Sequence, residues 1–116
     1  MRKIKDGEWI GVDFDGTLAY YDSGQKELGP PIPAMVQRIK EWLHLGYEVR
    51  IFTARVGNRP FWEQAATTTK IQEWLLAHGL PALQVTATKD YKMTVLYDDR
   101  VVQVEHNTGR LIVDDT

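Results

Sequence analysis

Short apolar runs that each stop on a polar residue, separated by stretches of helical periodicity, leave this chain few architectures. Trp9 to Val12 is largely apolar and stops at Asp13. Tyr47 to Phe52 is rich in β-formers and stops at Thr53, and Thr94 to Tyr97 stops at Asp98-Asp99. Leu83 to Thr86 reads as one more short strand. Runs of this kind suit strands buried on both faces of a sheet. Between the first two, Met35, Ile39, Trp42 and Leu43 recur at three and four residues. That spacing predicts a helix over 34–45, with Pro33 in its first turn and Gly46 at its end. A second helix is predicted from Pro60 to about His78, with Trp62, Ala66, Trp74 and Leu75 on its apolar side and Gly79 and Pro81 as its stop. Val101 to Glu105 and Arg110 to Val113, on either side of Asn107-Thr108-Gly109, predict a C-terminal β-hairpin.

Strands alternating with helices predict an α/β fold: a doubly wound, mostly parallel, Rossmann-like sheet flanked by helices. Ligands of such sheets bind outside the carboxyl ends of the strands. Asp13, Thr53 and Asp98-Asp99 each follow a predicted strand, so three distant segments deliver polar groups to one edge. A length of 116 residues suits one domain, 1–116, with a single core. A net charge of -2 gives no reason to expect broad attraction to nucleic acid or anionic lipid. The absence of cysteine excludes disulfides and thiolate metal sites. Met1 to Trp9 lacks the apolar core of a signal peptide, and no run is long enough to cross a bilayer. A cytoplasmic enzyme, away from membranes, is the expectation.

Asp13-Phe14-Asp15-Gly16-Thr17-Leu18 is the most informative segment. Two carboxylates one residue apart can face one site, and Gly16 permits a sharp exit from the strand. One carboxylate can attack phosphorus to give an acyl phosphate. The other can protonate the leaving oxygen and later take a proton from water. Asp98-Asp99 would add two negative charges, and four converging carboxylates need a compensating cation. Oxygen-only ligands favour a hard ion such as Mg²⁺. Thr53, in Ile51-Phe52-Thr53-Ala54-Arg55, can donate a hydroxyl hydrogen bond to a phosphate oxygen beside nearby backbone amides such as that of Ala54; alone it reads as an ordinary N-cap. Arg55 can bind substrate phosphate through its fork or lie on the surface. A cation is also needed against the charge that develops on phosphorus, and Lys89 and Lys92 are the candidates.

The string from Asp13 to Leu18 resembles the first motif of haloacid dehalogenase-like hydrolases. Thr53 is similar to the second motif, Lys89 to the third and Asp98-Asp99 to the acidic fourth, in the family's order. The resemblance implies Asp13 as nucleophile, Asp15 as acid/base, and Thr53 and Lys89 as holders of the phosphoryl group. It also implies Mg²⁺ held by Asp13, the backbone carbonyl of Asp15, and Asp98 or Asp99. Lys89 is preferred to Lys92 because Thr88-Lys89-Asp90 is similar to the lysine segment of short phage and bacterial members. Members acting on small metabolites usually carry a cap domain. This chain resembles a capless member, with residues 19–32 as a small flap. An open site implies a bulky phosphorylated substrate, such as a nucleic-acid end or phosphoprotein, or closure by a second subunit in a homodimer.

The expected activity is thus a Mg²⁺-dependent phosphohydrolase acting through an aspartyl phosphate. The alternative is a non-catalytic phosphate- or partner-binding module on the same fold. A phosphoacceptor signalling domain has the wrong order, since its paired acids follow the first strand. His44, His78 and His106 are scattered and form no metal triad; Trp9, Trp42, Trp62 and Trp74 read as core. Asp114-Asp115 reads as a solvated tail.

Overall fold

The computed structural model describes residues 3–112. Four strands, β1 (Trp9–Asp13), β2 (Glu48–Phe52), β3 (Val85–Thr86) and β4 (Met93–Tyr97), form an all-parallel sheet in the order β3-β2-β1-β4. Helix α1 (Pro33–His44) connects β1 to β2, and α2 (Phe61–Ala77) connects β2 to β3. The architecture is the expected α/β, Rossmann-like one. Pro33 opens α1, where a missing N–H costs nothing. Gly46, with φ +88°, takes the left-handed turn that ends it.

Pairing of Ile10 with Val49 and Val12 with Ile51 puts four aliphatic side chains on one face of the sheet. They share a core with Met35, Ile39 and Trp42 of α1 and with Ile71, Trp74 and Leu75 of α2. The other face carries Trp9 and Arg50, whose guanidinium lies 4.6 Å from the indole ring centre. Parallel strands usually need a crossover of a dozen or more residues, but only residues 87–92 join β3 to β4. This strap takes the place of a helix: Trp9 Nε1 donates to Asp90 Oδ1 at 2.9 Å, and Trp9 is fully buried.

One expectation needs correction. Trp62 and Ala66 do not face the core; Trp62 is 69% exposed. The inward stripe of α2 is Ile71, Trp74 and Leu75. Seven residues earlier, after two helical turns, that stripe falls on Gln64, Thr67 and Thr68, all part-buried. The C-terminal hairpin is seen among the described residues as the antiparallel bridge of Val104 with Leu111, flanked by hydrogen bonds from Glu105 N to Arg110 O and from Ile112 N to Gln103 O. Val101, Val102, Val104, Leu111 and Ile112 are about half exposed. Val113 and Asp114-Asp115 lie outside the described residues.

Among the described residues no helix is long and apolar enough to cross a membrane.

Candidate active site

The chain runs from β1 outward to β2 and β3, then returns to place β4 on the other side of β1. The resulting switch point lies between β1 and β4, where open parallel sheets bind ligands. Asp13 ends β1, and Asp98-Asp99 follows β4 directly. One carboxylate oxygen from each of Asp13, Asp98 and Asp99 lies within 4.8 Å of the others. They open onto a cleft of about 520 Å³ that is also lined by Asp15, Tyr21, Lys26, Thr53, Arg55 and Arg100.

This clustering changes the chemistry of Asp13. Burial, the nearby Asp98 charge and a hydrogen bond with Asp99 push its pKa up to about 7. Each cause disfavours the carboxylate, as expected where like charges converge without a cation. In chemistry the donor set, three carboxylates and no nitrogen or sulfur, is the kind a hard cation such as Mg²⁺ takes. The Asp15 side chain takes no part in this trio.

Gly16 and Thr17 hold the cluster together. Gly16 has φ +85°, and a Cβ there would stand 2.6 Å from Asp99 Oδ2. Only glycine admits both the backbone conformation and the close approach. Thr17 Oγ1 accepts from the Asp99 amide at 3.1 Å and stands 3.3 Å from both Asp13 Oδ2 and Asp99 Oδ1. On the far side of Asp98, its Oδ1 accepts from Arg100 N at 2.8 Å, closing the turn after β4.

Thr53 is 2% exposed and caps the short 3₁₀ turn Ala54–Val56, its Oγ1 accepting from Arg55 N at 3.1 Å. Acting as an acceptor there leaves its hydroxyl proton free to donate into the cleft. Asp15 faces Arg55: Nε to Oδ2 is 2.6 Å and Nη2 to Oδ1 is 2.9 Å. The third guanidinium nitrogen, Nη1, donates to the Lys26 carbonyl at 2.7 Å. Each guanidinium nitrogen is therefore engaged within the protein through one N–H.

The two lysines separate. Lys89, exposed, lines a larger hollow of about 910 Å³ along β4 that reaches Asp98 but not Asp13. Lys92 is at the amino end of β4, with its Nζ 3.7 Å from the Cβ position of Gly7. The smaller cleft holds the convergent polar groups, which makes it the candidate site.

No protein-family model matches the chain, and no curated protein does. A solved structure of a conserved protein from Bacteroides thetaiotaomicron aligns with a TM-score of 0.56 and 23% identity, covering 80% of this chain and 76% of that one. The likeness is one of fold. It supports the parallel Rossmann-like arrangement and carries nothing about activity.

Thr17 and the Asp15–Arg55 pairing are the parts of the site that reading the chain alone does not supply. For Thr17 a signal exists, since it stands inside the Asp13 to Leu18 string. For Arg55 none does, because its partner lies 40 residues away.

Proposed function

We propose that this chain is a Mg²⁺-dependent phosphohydrolase of the haloacid dehalogenase-like kind, acting through an aspartyl phosphate on Asp13 in a cytoplasmic setting. The support is one observation above all: carboxylates from the ends of β1 and β4, 85 and 86 residues apart along the chain, converge within 4.8 Å at the switch point.

In the first half-reaction an Asp13 oxygen attacks phosphorus, the bond from phosphorus to the leaving oxygen breaks, and Asp15 supplies the proton that oxygen needs. In the second, water attacks the same phosphorus while Asp15 takes its proton, and Asp13 leaves as a carboxylate. Thr53, with its free hydroxyl proton and the amides of the turn after it, holds phosphoryl oxygens. Lys89, on the strap before β4, is the candidate cation in this scheme; it lines the neighbouring hollow that shares Asp98 with the cleft, so it would have to swing across Asp98 to meet the phosphoryl group. Asp13, Asp98 or Asp99 and the Asp15 backbone carbonyl would hold Mg²⁺, which supplies charge neutralisation for the phosphoryl group and for the crowded carboxylates. A flap of residues 19–32 in place of a cap domain would leave room for a phosphate carried on a bulky substrate.

The deciding experiment is release of p-nitrophenol from its phosphate, followed by a panel of nucleotides, phosphorylated DNA ends, sugar phosphates and phosphopeptides. Turnover should require Mg²⁺ and vanish in Asp13→Asn. Turnover that survives both EDTA and Asp13→Asn would sink the proposal. Binding of phosphorylated ligands without turnover across the whole panel would favour a non-catalytic module.

A further inference from the structure

Arg55 joins three segments that are distant in sequence. It follows β2; Asp15, its carboxylate partner, follows β1; Lys26, whose carbonyl it holds, belongs to the flap. Both the guanidinium and the carboxylate are largely shielded from water, with 20% and 21% of their side-chain surface exposed. A two-point arginine–carboxylate pair has a fixed plane and direction, unlike a single-point contact. A freely rotating aspartate would sample several orientations, whereas Asp15 has one.

The flap is also held at its stems. Tyr20 N donates to Pro30 O and Ile32 N to Leu18 O, each at 2.8 Å. Trp74 Nε1 donates to Gly29 O at 2.8 Å from within the core. Between these points and the exposed Asp22–Gln25 turn, the Lys26 carbonyl is the flap group that Arg55 ties to the cleft.

We propose that Arg55 is a positioning residue, orienting Asp15 and pinning the flap through Lys26, and that it is not a ligand of the substrate phosphate. The part played by Asp15 in turnover rests on the phosphohydrolase proposal; the flap tether does not. Three of the five guanidinium N–H groups, the whole Nε–Nη2 edge among them, are committed to Asp15 and Lys26, so a two-point grip on phosphate through that edge would break the contacts that orient the acid/base group.

Two readouts test this with Arg55→Ala, Arg55→Lys and Asp15→Asn. Steady-state kinetics should show kcat falling at least about tenfold in Arg55→Ala with KM changed less than about threefold. Millimolar guanidinium should restore part of that rate, and Arg55→Lys, which cannot make the two-point pair, should restore little. A KM increase with kcat intact would overturn the proposal in favour of phosphate binding. Independently of any activity, trypsin should cut after Lys26 at least about tenfold faster in Arg55→Ala, because loss of a charge-assisted hydrogen bond frees that backbone. Mass spectrometry of fragments 1–26 and 27–116 reads it directly. Asp15→Asn should speed the same cut, and the double variant should add little to either single change. Unchanged cleavage at Lys26 in all three variants would refute the tether. Should the wild-type protein hydrolyse nothing in the panel, the phosphohydrolase proposal falls while the proteolysis still decides the tether.

Discussion

The hydroxyl of Thr17 accepts a hydrogen bond from the backbone N–H of Asp99 at 3.1 Å, fastening the loop after β1 to the turn after β4. These are the two segments whose carboxylates converge, so the threonine sets the separation of the candidate metal ligands. Thr17→Ala removes the acceptor, and a net hydrogen bond is worth about 0.5–1.5 kcal/mol. Mg²⁺ affinity, measured by calorimetric titration, should fall about two- to tenfold, with Thr17→Ser close to wild type. Equal affinities in all three proteins would show that the fastening is not needed to gather the ligands.

A neighbouring glycine allows backbone strain to be separated from crowding at the site. Gly16 and Gly24 have nearly equal positive φ, +85° and +81°, but only Gly16 has a neighbour in the way, Asp99 Oδ2 at 2.6 Å from its Cβ position; Gly24 has nothing within 4 Å. Alanine at either place should cost about 1–2 kcal/mol for the left-handed backbone. Gly16→Ala alone should also push the Asp99 carboxylate aside and abolish the rise in Tm on adding Mg²⁺. Paired melting curves with and without Mg²⁺ make the comparison. The same Mg²⁺ response in both variants would remove Asp99 from the ion's coordination.

The raised pKa of Asp13, about 7 against an ordinary 3.8, has a definite sign in stability. The native state holds the proton more tightly than the unfolded chain, so the metal-free protein should lose stability as pH rises from about 4 through about 7. Binding Mg²⁺ requires the carboxylate and releases that proton. The Mg²⁺-induced increase in Tm should therefore be small at pH 5 and larger at pH 8. A Mg²⁺ effect that is flat across this range would mean that Asp13 is already ionised in the absence of metal.

The convergence of Asp13 with Asp98-Asp99 was legible because side chains after parallel strands share an edge, and apolar runs mark where those strands stop. The core followed from the same patterns: Met35, Ile39 and Trp42 are buried as their spacing predicts. What was not legible depends on directions that no local pattern encodes. The turn after Thr53 aims Arg55 back at Asp15, and nothing between residues 15 and 55 records that. The strap 87–92 covers Trp9 through Asp90, where parallel topology leads one to expect a helix. In α2 the apolar Trp62 and Ala66 point one way while polar Gln64, Thr67 and Thr68 hold the inward positions, so hydrophobicity misreports the phase of the helix's first half.

That phase error yields a direct comparison between two tryptophans of one helix. Trp74 is 9% exposed, meets the Phe14 ring edge-on at 4.9 Å between centres, and donates its indole N–H to Gly29 O at the base of the flap. Phe14 lies between the two aspartates of the candidate site, so this packing supports the floor beneath Asp13 and Asp15. Trp74→Ala should cost about 3–5 kcal/mol, the usual range for emptying a large aromatic site. Trp62, at 69% exposed, should tolerate Trp62→Ala within about 0.5 kcal/mol. Trp74→Phe should fall between them, keeping much of the ring contact but leaving the Gly29 carbonyl without its donor, at a cost of about 1–3 kcal/mol. Urea denaturation of the three variants measures the order, and a loss at Trp62 as large as that at Trp74 would overturn the placement of α2 on the sheet.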